Sequence, residues 1–476
     1  MPRSSSLNAA RRAAELGRTA QDVVDVLVVG LGATGAGAAL DAASRGLSVA
    51  AIDAHDLAFG TSRWSSKMIH GGLRYLAKGQ VGVAYESAVE RGVLLGRTAP
   101  HLVRAHPYLL PLTPAVSRGQ ESLVMSGYRL GDGLRAAART PRRLLPGPSR
   151  LTAARARATA PVLSGYGLRG ALLSWDGRLE DDARLVVAVA RTAAAYGARV
   201  LTRCRALELT PTGARARDEL TGEEFTIRAR AVVNAAGVWA GQLNPEVTLR
   251  PSRGTHLVLR GETLPGLTAG LHVPIPGESN RFALVLPQQD GRVLVGLTDE
   301  PVDGPVPDVP QAPEEDVRAL LAVLNSVLEV PVTREAVAGA YAGLRPLLAA
   351  EGRTADLSRR HAVLDTGGFV TVVGGKLTTY RRMAEDAVDR AVRLAKLPAG
   401  PCVTKDLVLA GRAVRAYAEA EPEPAGAGVT KGELRFAVEH EGALDEDDLL
   451  DRRTRIGLIP EDRAAALPMA REVLKG

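Results

Sequence analysis

The segment Asp25-Val26-Leu27-Val28-Val29-Gly30-Leu31-Gly32-Ala33-Thr34-Gly35 constrains this chain more than any other. An apolar run of strand character enters G-x-G-x-x-G. A helical stretch from Ala36 to Arg45 follows, and a second apolar run, Val49-Ala50-Ala51-Ile52, ends on Asp53. A β-turn-α-β unit closed by an acid about 20 residues after the glycines is the arrangement that cradles a dinucleotide. Gly30 permits the tight turn, Gly32 lets the backbone approach a pyrophosphate, and Gly35 lets helix and strand pack closely. The helix N-terminus offers N–H groups and the positive end of its dipole to phosphates. Asp53 can accept bonds from a ribose diol.

The chain has 476 residues, which at about 150 residues per domain suggests two to three domains. Hydrophobic content is 46% with only 4% aromatic residues, so the core must be built largely of Val, Leu and Ala. Lys and Arg number 60 against 53 Asp and Glu, a net charge of +7 that favours anionic partners. The two cysteines, Cys204 and Cys402, have no CxxC spacing. They indicate neither a disulfide framework nor a metal site, and a reducing, cytoplasmic compartment fits. Met1 to Gln21 lacks an apolar signal core, and no run of 18 apolar residues exists. Contact with a membrane is therefore expected to be peripheral, at its inner face.

Along the chain, residues 1–21 read as a mobile or loosely helical tail. Residues 22–110 carry the dinucleotide unit. Between Ser117 and Pro161, nine arginines (Arg118, Arg129, Arg135, Arg139, Arg142, Arg143, Arg150, Arg155 and Arg157) face only Glu121 and Asp132. Leu123, Val124, Met125, Tyr128, Leu130 and Leu134 are interleaved with the first of them. That pattern suits an anionic membrane surface or a solvated helix followed by a linker. Nucleic acid is excluded, because Arg135 to Arg157 contains no aromatic residue on which a base could stack. Thr255–Leu259, Phe282–Leu286 and Val293–Leu297 read as strands of a separate sheet, and Glu314 to Val330 as a helix. Phe369–Val373 is a strand that enters Gly374-Gly375-Lys376 and a helix from Leu377 to about Leu394. Residues 412–429 read as a linker, and 430–476 as an acid-rich helical appendage.

The chemistry concentrates in Gly60-Thr61-Ser62-Arg63-Trp64-Ser65-Ser66-Lys67-Met68-Ile69-His70-Gly71-Gly72-Leu73-Arg74-Tyr75-Leu76. Hydroxyls and backbone N–H groups here can bind a pyrophosphate, and the glycine pair lets the backbone pass beside a flat ring.

Through these motifs the chain resembles the FAD-dependent glycerol-3-phosphate dehydrogenases, within the flavoprotein group that includes D-amino-acid and glycine oxidases. The matching pieces are GLGATGAGAALDAASRGLSVA, SSKMIHGGLRYL, EDDARLV, VVNAAGVWA, RGTHLVL, GLTDE, YAGLRPL, VVGGKLTTYRRMAEDAVD and AVEHEGALDEDDLLDRRTRIGL. They run in family order over most of the chain, and SSKMIHGGLRYL and GGKLTTYR are the specific ones. The resemblance implies an α/β fold. Its parts would be a Rossmann-type FAD-binding domain, mainly 22–110, 165–240 and 360–395, an inserted antiparallel-sheet substrate domain, mainly 245–345, and a small C-terminal helical domain. It implies noncovalent FAD and oxidation of sn-glycerol 3-phosphate to dihydroxyacetone phosphate, with hydride leaving C2 for the flavin. It implies a membrane quinone as acceptor, with oxygen, as in an oxidase, as the alternative. A homodimer is compatible with it, and no metal is called for.

The same resemblance assigns residues. Gly30, Gly32, Gly35, Asp53, Thr61, Ser62, Ser66, Lys67, Ile69, Gly71 and Gly72 would hold the cofactor. Ala236, Gly237 and Trp239 would close the adenine-side strand, and Gly375, Leu377 and Thr378 would line the isoalloxazine edge. Arg74, Tyr75 and Arg359 match substrate contacts; guanidinium forks suit a phosphate. His256, Arg345 and Lys376 would carry catalysis, and which of them takes the hydroxyl proton stays open. Three positions depart from the family pattern: Asp53 for the usual Glu, Leu297 where Thr is commoner, and Arg360 where Asp is often found. They leave substrate preference less constrained than cofactor.

Overall fold

The computed structural model describes residues 4–72, 75–76, 79–276, 278, 281–349 and 360–476. Val23–Val29 lies at the centre of the first sheet, and Val26, Leu27, Val28 and Val29 are all buried. Burial on both faces is what a parallel strand with covered sides requires. The sheet runs Ala362–Thr366, Phe369–Val373, Glu224–Asn234, Val23–Val29, Val49–Ile52, Arg199–Leu201. All neighbours are parallel except the first pair. The helices Ala33–Ser44, Asp182–Ala195 and Tyr380–Ala395 share a core with one face. Small side chains let them approach closely: a Cβ on Gly37 would lie 3.0 Å from the Ala384 Cβ. This is how a core so poor in aromatics fills its volume. The hairpin Cys204–Thr210/Gly213–Asp218 packs on the other face.

Among the described residues, the second sheet has ten strands. Ser252–Arg260 is flanked by Arg292–Gly296 and Val337–Arg345, both antiparallel to it. Phe282–Pro287 and Gly270–Pro274 continue the sheet, and helix Glu314–Asn325 packs on it. Val103–Pro111 and Ala171–Leu179, read from sequence with the dinucleotide core, run in this second sheet instead. Their alternating burial suits either sheet, so pattern alone could not place them.

The N-terminal segment is a packed helix, Ala9–Gln21, rather than a loose tail. Asn8 caps it through the Arg11 N–H at 2.9 Å. Its buried residues are Arg12, Glu15 and Thr19, and Arg12 meets Asp218 at 2.5 Å. A helix that docks by polar side chains leaves no apolar stripe for sequence reading to find. Residues 412–429, read as a linker, hold helix Arg415–Ala420 and half of a small hairpin, with Ala425 in the C-terminal core.

That C-terminal unit includes helices Lys431–His440 and Pro460–Lys475. Its charges dock on arginines and acids of the first domain. Arg452 and Arg453 both reach Asp56 at 2.7 Å, Asp448 meets Arg203 at 2.7 Å, and Glu441 meets Arg184 at 3.1 Å. The basic stretch after Ser117 forms helix Arg118–Ala137, with a capping box between Ser117 and Gln120. Tyr128 is buried, while Leu123 and Leu130 are 60% and 56% exposed. Among the described residues, no helix is long and apolar enough to cross a membrane.

Candidate active site

The glycine turn does three separate jobs. Gly30 has φ +98°, and a Cβ there would lie 2.6 Å from the Ala235 carbonyl oxygen. A Cβ on Gly35 would lie 1.8 Å from the Gly30 carbonyl oxygen, so helix and turn touch through backbone alone. Gly32 caps helix Ala33–Ser44 without a side chain, leaving the helix end open apart from the Ala33 N–H, which donates to Ser62 Oγ at 2.9 Å. Asp53 accepts from the Leu31 N–H at 2.6 Å and the His55 N–H at 2.8 Å. Each carboxylate oxygen retains a second lone pair. Burial pushes this carboxyl up to about 6, against those two hydrogen bonds.

These residues open one end of a cleft of about 480 Å³, within the ordinary range for a small-molecule site. His55 stacks on Phe59 with centroids 3.8 Å apart, and Phe59 leans toward Trp239. Trp239 lies over Gly60, where a Cβ would meet its ring at 2.7 Å. Gly30, Gly32, Asp53, Thr61, Ser62, Ser66, Ala236, Gly237 and Trp239 all line the cleft. The backbone close enough to admit a pyrophosphate, the open helix end and the flanking hydroxyls fit a dinucleotide.

The segment after Gly60 divides its residues between cleft and scaffold. The Thr61 hydroxyl donates to the Leu344 carbonyl at 2.6 Å. Ser66 Oγ lies 2.9 Å from His256 Nε2. Lys67, expected at the cofactor, points away from the cleft: it is 1% exposed, pairs with Asp182 at 2.7 Å and donates to the Arg63 carbonyl. Ile69 is buried in the core, and the Gly71 N–H donates to Asp176 at 3.1 Å. Gly35, Ile69, Gly71 and Gly72 likewise do not line the cleft, whereas Met68 and His70 do. A two-residue alternation explains the split around Ile69: its neighbours face the opposite side of the short strand Met68–Ile69.

Cations line the cleft as well. Arg345 ends strand Val337–Arg345 and is held by Ser252 Oγ at 3.1 Å, the Thr298 carbonyl at 3.1 Å and Asp299 at 3.4 Å. Lys376 follows strand Phe369–Val373 and the two glycines; its Nζ donates to the Ser87 hydroxyl and stands 4.4 Å over the Tyr75 ring. The turn Leu377–Thr379 leads into helix Tyr380–Ala395, so Gly375, Leu377 and Thr378 border the cleft at a helix start. Thr378 Oγ accepts the His70 N–H at 3.2 Å. His256 is wholly buried; desolvation first, then Lys67 and Arg345, lower its pKa well below the ordinary imidazole value. Arg74 and Arg359 lie outside the described residues.

His70, Trp64, His55, Arg205 and Met383 also line the cleft, and sequence reading gave them no role. His70 stands inside SSKMIHGG and could have been singled out there. Arg205 could not, since it sits in a strand of ordinary pattern. Among the described residues, no group of three or more His, Cys, Asp or Glu side chains is placed to hold a metal ion.

Comparison with known proteins agrees with this geometry. The family described as "FAD dependent oxidoreductase" matches residues 25–381. Glycerol-3-phosphate dehydrogenase 1 of Mycobacterium tuberculosis is 50% identical, over 100% of this chain and 99% of that protein. The glycerol-3-phosphate dehydrogenase of Bacillus halodurans complexed with FAD superposes with a TM-score of 0.75 at 25% identity, over 99% of this chain and 94% of that one. The FAD-bound L-alpha-glycerophosphate oxidase of Mycoplasma pneumoniae shares the fold, with a TM-score of 0.62 at 17% identity over 82% of this chain and 100% of that one.

Proposed function

The chain belongs to the glycerol-3-phosphate dehydrogenase family of FAD-dependent oxidoreductases, and from that premise we propose that it oxidises sn-glycerol 3-phosphate to dihydroxyacetone phosphate and passes the electrons to a quinone at the inner face of the cell membrane. The observation that carries this reading is a dinucleotide cradle and two cations in one cleft. The dinucleotide cradle, Arg345, and Lys376 after the Gly374-Gly375 turn all line the same cleft. FAD, when bound, supplies the hydride acceptor. The protein's part is to hold an anionic polyol beside it. Arg345 is fixed by three bonds in the cleft wall and suits a phosphate or a developing alkoxide. Lys376 adds a second positive charge, steadied by the Tyr75 ring. His256 lines the cleft beside Ser66, with Nε2 2.9 Å from Ser66 Oγ.

A quinone is favoured over oxygen by the outer helix Arg118–Ala137. Its exposed Leu123 and Leu130, seven residues apart, share one face; exposed Arg118 and Arg129 lie on the same helix, and exposed Arg139 and Arg143 follow it. The test is anaerobic. Adding sn-glycerol 3-phosphate to the FAD-loaded protein should bleach the flavin band, and glycerol should not. Reoxidation by a soluble quinone, faster than by air, separates dehydrogenase from oxidase. Arg345→Ala should keep its FAD and lose about 100-fold or more in kcat/KM, since unpairing a buried charge typically costs roughly 3–5 kcal/mol. A flavin that stays oxidised with this substrate would overturn the reading.

A further inference from the structure

His256 stands in strand Ser252–Arg260 with Gly296 opposite it on one neighbouring strand and Tyr341 opposite it on the other. Its ring stacks on Tyr341, with centroids 4.8 Å apart and planes 13° apart. It also lies over Gly296, where a Cβ would come within 2.2 Å of its Cδ2. The imidazole is therefore fixed in place by a ring on one side and a bare backbone on the other. Nε2 is 2.9 Å from Ser66 Oγ. Nδ1 is fully buried and has no hydrogen-bond partner among the described residues.

His256 lines the cleft beside Ser66 but exposes no surface: Nε2 is engaged by Ser66, and Nδ1 is buried. A neutral ring has one N–H and one lone pair. With the proton on Nδ1, a buried N–H would have no acceptor. With the proton on Nε2, that N–H donates to Ser66 Oγ and only a lone pair goes unused. Orphaned buried N–H groups are the rarer and unused acceptors the better tolerated. The imidazolium form is worse than either, because it adds the orphaned N–H and a charge beside Lys67 and Arg345.

We infer that His256 is a positioning residue and not the proton acceptor: its Nε2–H donates to Ser66 Oγ, which turns the Ser66 hydroxyl hydrogen into the cleft as a donor to a lone pair of the reactants. Ser66 is then the group that touches the reactants. Only the identity of those reactants rests on the function proposed above.

Three variants of the full-length FAD-loaded protein test this, with bound FAD confirming the fold of each. Ser66→Ala and His256→Ala should each slow flavin reduction by about 10- to 100-fold, the worth of one well-placed hydrogen bond. The double variant should be no slower than either single one. His256→Gln should recover most of the loss, because its amide donates from the Nε2 position yet cannot take up a proton. A His256→Gln enzyme as slow as His256→Ala would overturn the inference and make His256 the base. A second readout needs no turnover. Nitrogen-15 NMR of histidine-labelled wild-type protein, assigned by the signal missing from His256→Gln, should show His256 as the neutral Nε2–H tautomer from about pH 5.5 to 8. The Nδ1–H tautomer, or titration inside that range, would overturn it. Should sn-glycerol 3-phosphate fail to reduce the wild-type flavin, the substrate reading falls while the NMR result still decides the tautomer.

Discussion

Asp53 shows how one carboxylate can couple a fold to a ligand. Its two oxygens tie the glycine turn to the end of the second strand through the Leu31 and His55 N–H groups. Burial pushes it up to about 6, so it carries a full charge only above that value. A ribose diol donates more strongly to the ionised form. Binding therefore favours the carboxylate, and affinity is present above pH 6 and lost as pH falls through 6. FAD affinity should drop by about fivefold between pH 7.5 and 5 if binding lowers this pKa by about one unit. Asp53→Asn should bind more weakly and with a flat profile over this range. Fluorescence titration of FAD at each pH measures both; a wild-type profile as flat as the variant's would count against a ribose role.

The helix Arg118–Ala137 has two faces with different tasks. Its inner face seats Tyr128, whose hydroxyl lies 3.2 Å from His272 Nδ1, with Val124 and Met125 packed nearby. Its outer face leaves Leu123 and Leu130 in solvent beside arginines that Glu121 and Asp132 only partly balance. Replacing both leucines by Glu touches no core contact, so folding and flavin reduction should be unaffected. Sedimentation with anionic vesicles should fall at least tenfold, and wild-type binding should weaken steeply between low and physiological salt. Equal sedimentation of variant and wild type would remove this helix as the docking face.

At the scale of the molecule, the C-terminal unit is bound to the cofactor domain through charge. Asp56, three residues past Asp53, is wholly buried and receives both Arg452 and Arg453. Burial would raise its pKa, but the two guanidiniums outweigh that and hold it well below the usual carboxylate range. A depressed carboxyl stabilises the fold above its unfolded value near 3.8 and loses that contribution as pH falls below it. Arg452 also stands 5.7 Å from the Phe59 ring, so the contact reaches the wall of the cleft. Asp56→Ala would take the carboxylate partner from buried Arg453 and leave Arg452 with Asp448 alone, at a typical cost of roughly 3–5 kcal/mol. The thermal midpoint should fall by several degrees, and FAD should dissociate faster than from wild type. A melt and a stopped-flow release experiment check this, and an unchanged midpoint would show that the two units are held together otherwise.

The local chemistry of this protein was legible in its residues. The turn at Gly30, the acid at Asp53 and the glycines before Lys376 each meet a steric or electrostatic need set by neighbours in the chain, and such needs leave a mark in spacing. Several strands of both sheets, such as Val49–Ile52, Phe282–Pro287 and Phe369–Val373, were legible for the same reason, as was the helix from Leu377. Sequence order could not decide which sheet Val103–Pro111 and Ala171–Leu179 would join, because alternation suits either. Nor could it show that Ala9–Gln21 packs by Arg12 and Glu15, or that Lys67 turns to Asp182 while Ser66 turns to His256, 190 residues away. A hydrogen bond between distant residues depends on the register of strands brought together only by folding. The tertiary structure alone therefore decided which residues of one short motif face the cleft and which hold it up.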